Sequence, residues 1–258
     1  MSSSIWMQCE GDSRQRALRL VAWRVVESQH EISTRKLVDS AAEQELLEEL
    51  IERIKPPATV GARLHYLLFT PFRYPPLRHG SRFGARHERG IWYGAESPRT
   101  AFAEVAYYRL LFLEGTHAAL ELVTTALSAF TVRMRTLHGI DLTAAPFDAH
   151  RKDISSPLSY TESHALGQNM RVVGVELFRF ASARDVGGGW NVGAFTPAVF
   201  HAASPQQFQR WHCAATTRAV EFTRGDQTRT AMRPRDSFQF ERTQFLVKNK
   251  LPAPGVGA

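Results

Sequence analysis

Apolar residues recur at helical spacing between Leu37 and Lys55, where Ala41, Ala42, Leu46, Leu50 and Ile54 mark one face. Ser40 and Glu43 supply a Ser-x-x-Glu capping box, and Pro56-Pro57 stops the helix. Glu45, Glu48, Glu49 and Glu52 fill the opposite face, which reads as solvated surface. The pattern then changes. Leu64 to Phe69 is a short apolar run of strand type, and Thr70 to Gly80 carries Pro71, Pro75, Pro76 and Gly80, a composition that resists regular structure. Ile91 to Ala95 predicts a strand, after which Ser97 and Pro98 form the cap and first residue of a helix that Gly115 ends. His117 to Thr124 and Ala129 to Met134 are β-like, and a Pro-bearing polar segment runs from Asp141 to Ser159. Tyr160 to Val172 reads as a helix ended by Gly174. Val175 to Phe180, Trp190 to Phe195, Phe208 to Ala215 and Ala219 to Thr223 make the second half rich in strands.

These elements predict an α+β fold with helices packed on a bent, largely antiparallel sheet. Residues 1–65 are expected to form a helical N-terminal extension, 66–225 the core domain, and 226–258 a basic C-terminal tail. The tail carries Arg229, Arg233, Arg235, Arg242, Lys248 and Lys250 and ends in Pro/Gly-rich residues expected to fray.

Composition narrows the class. A chain of 258 residues with 43% hydrophobic and 22% charged residues is long enough, and apolar enough, to bury a core without a metal or disulfide. Cys9 and Cys213 are far apart and form no CxxC, so neither a disulfide framework nor a zinc site is read, and a reducing cytoplasm is the expected compartment. Glu10, Asp12, Arg14 and Arg16 interrupt the amino terminus where an export signal needs an apolar run. No segment approaches about 18 uncharged apolar residues, so no membrane span is expected. Lys and Arg total 32 against 25 Asp and Glu, a net charge of +7 that favours an anionic partner: nucleic acid, a phosphate-bearing small molecule or an acidic protein. There is no Lys/Arg block of five, no zinc-finger spacing and no RRM-type aromatic motif, so a nucleic-acid-binding module rests on net charge alone.

Familiar enzyme fingerprints are missing: no Walker P-loop, GxGxxG, HExxH or GxSxG. The histidines are scattered without helical i, i+4 pairing beside a carboxylate, and no metal is expected. In the helix after Ser97, Ala101, Glu104, Tyr108 and Leu111 are spaced by three or four, so a carboxylate shares an arc with apolar neighbours. Glu104 either faces inward as a site residue or lies at the rim of the stripe, paired with a surface arginine. The glycines at 187–189 either let a phosphate approach the backbone or form a tight hairpin connection.

Three segments gain meaning from their order: Gly80-Ser81-Arg82-Phe83; Ile91-Trp92-Tyr93-Gly94-Ala95 leading into Thr100-Ala101-Phe102-Ala103-Glu104-Val105; and Phe180-Ala181-Ser182-Ala183-Arg184 followed by Gly188-Gly189-Trp190-Asn191-Val192. This succession of an Arg, a strand Tyr, a helical Glu and a Ser-x-Arg resembles the RES-domain family over roughly residues 70 to 225. The resemblance implies a toxin of a bacterial toxin–antitoxin pair with a fold similar to ADP-ribosyltransferases. It implies NAD+ as substrate, with no separate cofactor, and an Xre-type helix-turn-helix antitoxin as partner. Direct nucleic-acid binding is expected only through that antitoxin.

Arg82, Tyr93, Glu104 and Ser182 match the family's functional positions. Breaking the bond between nicotinamide and ribose builds positive charge on the sugar, which a carboxylate such as Glu104 can stabilise, or it can grip a ribose hydroxyl. A guanidinium fork suits the pyrophosphate, a role for Arg82 with Arg86 or Arg184 as helpers. Tyr93 can stack on the nicotinamide ring. Ser182 can hydrogen-bond ribose, amide or Glu104, and it is not read as a nucleophile because no histidine stands near it in sequence. Arg184 and Asn191 are further candidates for holding NAD+. Taken singly, Arg82 could be a loop cation, Tyr93 a core residue and Ser182 a turn residue. The acceptor stays open among water, inorganic phosphate and a protein side chain, the last being ADP-ribosyl transfer. An acidic or amphipathic antitoxin segment over the Arg82 cleft would complement the net charge.

Overall fold

The computed structural model describes residues 4–28, 40, 42–43, 46–47, 49–50, 63–74, 80–118, 120–225, 237–253 and 255. Its helices are α1 (Ile5–Gln8), α2 (Tyr66–Arg73), α3 (Pro98–Gly115), α4 (Arg151–Ile154) and α5 (Thr161–Val172). Its strands are β1 (Arg16–Glu27), β2 (Trp92–Ala95), β3 (Val123–Asp141), β4 (Leu177–Ala181), β5 (Trp190–Ala194), β6 (Gln206–Ala215), β7 (Ala219–Arg224) and β8 (Ser237–Glu241). The expected α+β class holds. Among the described residues the strands form one sheet in the order β1-β2-β5-β4-β3-β6-β7-β8, and β1 also pairs with β3. Five strands therefore close a ring, β1-β2-β5-β4-β3 and back to β1, while β6, β7 and β8 extend from the far edge of β3. Every pairing is antiparallel except β3 with β4.

β1 corrects the expectation of a helical extension, at least for residues 16–27. It lies antiparallel to β3, with Leu18 opposite Thr136 and Glu27 opposite Leu127. Its side chains alternate in the way a strand between two apolar layers requires. Leu18, Leu20, Ala22 and Val26 join the cluster around Trp92 and Phe130, while Trp23 and Val25 face the cluster that contains α3. Arg24 donates to the Tyr93 carbonyl oxygen at 2.7 Å, tying β1 to the strand that carries a candidate site residue.

Other sequence expectations shift in position or type. Leu64 to Phe69 is not a strand: α2 starts at Tyr66, capped by the His65 ring accepting from the Leu67 N–H, and buries Leu67, Leu68 and Phe72. A short apolar run carries no periodicity that separates helix from strand. The two β-like stretches after Gly115 merge in part into the 19-residue β3, and residues 117–118 and 120–122 stay outside it. The helix read between Leu37 and Lys55 falls mostly outside the described residues, but its capping box is made. The Ser40 N–H donates to Glu43 Oε2 at 3.3 Å and the Glu43 N–H to Ser40 Oγ at 3.1 Å. The segment read as a basic tail supplies β8, paired with β7 from Ala219 opposite Glu241 to Thr223 opposite Ser237. Its end is not frayed as far as it is described, since Leu251, Pro252 and Gly255 are buried.

α3 lies across this sheet because one face is almost wholly apolar. Phe102, Ala103, Ala106, Tyr107, Leu110 and Leu113 are buried, and Phe102 packs on Trp211, Phe222 and Phe238 with ring centroids 4.6, 4.7 and 5.0 Å away. At the opposite end of the ring Asp141 closes β3. It accepts from Arg16 of β1 at 2.6 Å and from Arg179 of β4. Burial raises the Asp141 pKa, but hydrogen bonds from Arg179 and Thr143 outweigh it and leave the carboxyl below its ordinary value. Replacing the fully buried Phe102 by Ala is expected to lower unfolding free energy by about 3–5 kcal/mol, read from urea denaturation; a loss within experimental scatter would show that α3 is not seated by this ring.

Candidate active site

The leading end of α3 is fixed first. Ser97 Oγ accepts from the Thr100 N–H at 3.1 Å, with Pro98 as the first helical residue. Thr100 Oγ1 donates to Asp185 Oδ2 at 2.8 Å, so the cap also anchors the loop that joins β4 to β5. Asp185 further accepts from the Gly187 N–H at 3.0 Å and faces Arg99 at 3.6 Å. The glycines of this loop make a hairpin connection: the Ser182 N–H donates to the Gly189 carbonyl oxygen at 2.9 Å. Gly188 has φ +81, and a Cβ on Gly189 would lie 1.9 Å from Thr100 Oγ1, so only glycine lets the loop sit this close to α3.

That seating brings Ser182 to Glu104. Glu104 is half-buried at the margin of the apolar face of α3, and Tyr108, one turn on, is 51% exposed, so the arc is rotated from the one read in sequence. The carboxylate nevertheless points into the protein. Its Oε1 accepts from Ser182 Oγ at 2.8 Å and from Asn191 Nδ2 at 2.6 Å. Ser182 Oγ in turn accepts from the N–H groups of Arg184 and Asp185, each at 3.1 Å. Its proton is thus committed to Glu104 and its lone pairs to the loop, which makes it a positioned donor. Asn191, on β5, is buried, and its Oδ1 has no hydrogen-bond partner among the described residues. The amide cannot be turned over without setting two acceptor oxygens against each other. An unpaired buried acceptor costs about 1–3 kcal/mol and is expected to meet a donor brought by a ligand.

Arg82 stands in the tight turn Ser81–Gly84, closed by the Ser81 N–H on the Gly84 carbonyl oxygen at 2.8 Å. Its guanidinium lies 4.7 Å from the Tyr160 ring centroid and donates to the Ser156 carbonyl oxygen at 2.7 Å. Arg184 lies 3.6 Å from the Tyr107 ring centroid and donates to the Pro157 carbonyl oxygen at 3.3 Å. Two cations are therefore held flat on aromatic faces, each anchored to the loop before Tyr160. Tyr93 supports the first of them. Its hydroxyl accepts from the Phe83 N–H at 3.1 Å and shares a hydrogen bond of 3.0 Å with Ser81 Oγ, so it braces the turn that carries Arg82. Arg86 is exposed beyond that turn.

Burial pushes the Tyr93 and Tyr107 phenols up to about 12. For Tyr107, Arg184 opposes that rise and Tyr160 and Glu104 add to it, while Arg82 opposes it more weakly. These groups share one electrostatic neighbourhood. The structure thus brings together Arg82, Tyr93, Glu104, Ser182, Arg184 and Asn191. It adds Tyr107 and Tyr160, which sequence reading passed over as helix residues, and Asp185, which follows Ser-x-Arg directly. Among the described residues no three His, Cys, Asp or Glu side chains gather as metal ligands, and no helix is long and apolar enough to cross a membrane.

A carboxylate gripped by a serine and an asparagine thus shares one neighbourhood with two ring-mounted arginines on an α+β scaffold. The chain matches the RES domain over residues 52–216, more than half its length, and belongs to the RES domain family. No curated protein matches it. The matched span holds every residue of this candidate site, while β1, β7 and β8 lie outside it.

Both phenols hold their protons more tightly in the folded chain than an unfolded tyrosine does near 10. The stabilisation is therefore complete below about pH 10 and is lost as pH rises toward 12. Tyr108 is shifted in the same direction, so absorbance at 295 nm is expected to show three of the six tyrosines ionising only above about pH 11 or on alkaline unfolding; six ordinary titrations with a stable fold would contradict this placement.

Proposed function

We propose that this protein is an NAD+-degrading toxin of a bacterial toxin–antitoxin pair, cleaving the N-glycosidic bond between nicotinamide and ribose in the cytoplasm. The observation that carries the reading is Glu104, held by Ser182 and Asn191 between Arg82 and Arg184, in a chain of the RES domain family. The carbon–nitrogen bond breaks with its electron pair leaving on nicotinamide, and the ribose ring becomes an oxocarbenium-like cation. Both hydrogen bonds to Glu104 fall on Oε1, and Oε2 is assigned to this cation or to a ribose hydroxyl. Water or inorganic phosphate then adds its oxygen to the anomeric carbon and releases a proton.

Arg82 and Arg184 are assigned to the pyrophosphate, whose paired oxygens suit the guanidinium fork. Asn191 Oδ1 accepts a ribose hydroxyl or the carboxamide N–H, which would relieve its unpaired burial. The half-buried Tyr93 ring is placed against nicotinamide while its hydroxyl holds the Arg82 turn. An Xre-type helix-turn-helix antitoxin is the proposed partner, its acidic or amphipathic segment covering the arginines.

Purified, partner-free protein is expected to consume NAD+, and Glu104→Gln to lower the rate by about 100-fold or more while leaving the fold intact. Comparing buffers with and without phosphate identifies the acceptor. Loss of NAD+ only with a mass increase on an added protein would convert the reading to ADP-ribosyl transfer. NAD+ left untouched in every buffer and with cell lysate would sink it, and salt-sensitive binding of nucleic acid indifferent to Glu104→Gln would point to the basic surface instead.

A further inference from the structure

The two rings that carry the arginines stand on different parts of the chain, and a third segment joins them. Tyr107 belongs to α3, and Tyr160 ends the loop that supplies the carbonyl oxygens of Ser156 and Pro157. After the short helical turn Arg242–Phe245, the chain reverses between Val247 and Lys250. Lys248 and Asn249 both take left-handed conformations there, with φ 50 and 63, as a two-residue type I′ turn requires. The reversal sends residues 251–253 back across the molecule, and Gly255 is placed beyond them. Leu251 sinks into the cluster of α3, the Tyr107 hydroxyl donates to the Pro252 carbonyl oxygen at 2.5 Å, and the Tyr160 N–H donates to the Gly255 carbonyl oxygen at 3.0 Å. Gly255 has φ +80, and a Cβ there would lie 2.5 Å from Cδ2 of Tyr160, so the strand of backbone rests directly on the ring beneath Arg82.

We infer that the described residues Leu251–Ala253 and Gly255 act as a strap fixing the separation of the two arginine-bearing walls, and so as a positioning element for the diphosphate part of the substrate. One end holds Tyr107 under Arg184; the other holds Tyr160 under Arg82. A pyrophosphate bridging both guanidiniums needs them at a set distance; the Ser156 and Pro157 carbonyl oxygens hold the guanidiniums themselves, and Pro252 and Gly255 hold the two tyrosines on which they rest. Among the described residues no hydrogen bond joins the strap to Glu104 or Ser182, and its effect falls on affinity before it falls on bond cleavage. The inference rests on the assignment of this site to NAD+.

The test compares wild type with Gly255→Ala and with a chain shortened after Lys250, the first guarding against misfolding of the second. Hydrogen exchange at the Tyr160 amide reports the strap directly, and it is expected to speed up in both. KM for NAD+ is expected to rise about fivefold, with kcat changed less and the melting temperature of Gly255→Ala lowered less than that of the shortened chain. Faster exchange with an unchanged KM, or unchanged exchange in both variants, overturns the strap. If wild type does not consume NAD+, the functional reading has failed, and calorimetric binding of inorganic pyrophosphate decides the strap alone: weaker binding in Gly255→Ala supports it, while equal binding or none by wild type overturns it.

Discussion

Glu104 sits where a helix meets a sheet, and a carboxylate in that position must be given donors or be expelled. Leaving such a group buried without hydrogen bonds costs several kcal/mol. The demand is met by one side chain from the end of β4 and one from β5. Much of the surrounding architecture follows from delivering those two groups. β4 and β5 must be neighbours, their connecting loop must turn tightly over the start of α3, and Gly189 must lack a side chain so that Thr100 can reach Asp185. The helix cap and the site are therefore one hydrogen-bonded unit, in which Ser97, Thr100, Asp185, Ser182 and Glu104 follow in sequence of contact.

The positive side of the candidate site is built by another principle. Arg82 and Arg184 are held on aromatic faces and on backbone carbonyls, partners that orient a guanidinium without neutralising it. Arg179, by contrast, meets Asp141 and Glu96 and is tied into the frame. The chain thus separates cations that meet carboxylates and brace strands from cations that meet only rings and carbonyl oxygens in the contacts described, and net charge alone draws no such distinction.

The family span is not the whole folding unit. β1 lies outside residues 52–216, yet it pairs along β3, closes the ring of strands through β2 and packs Trp23 and Val25 toward α3. β7 and β8 lie outside as well, and they supply Phe222, Phe238 and Phe240 to the cluster under that helix. The helix that carries Glu104 therefore rests on strands contributed from both flanks of the matched domain.

The sequence by itself determined the α+β class, the cap at Ser97-Pro98 and the helix after Tyr160, and its motifs singled out Arg82, Tyr93, Glu104, Ser182, Arg184 and Asn191 as candidates, while the glycines at 187–189 stayed open until the structure showed a hairpin connection. What was read is written locally, in a capping residue, a period or a short ordered motif. The strand character of β1 escaped because its alternation includes arginines and apolar residues on both faces, as a strand between two packed layers allows. The helical nature of α2 escaped because a run of apolar residues that short has no period to read. Only the tertiary structure decided that Glu104 meets Ser182 and Asn191, which are 78 and 87 positions away, and that Tyr107 and Tyr160 carry the two arginines. Such contacts depend on which faces the packed layers bury and how closely two backbones approach, and those distances are set by the whole sheet and are absent from any local stretch of chain.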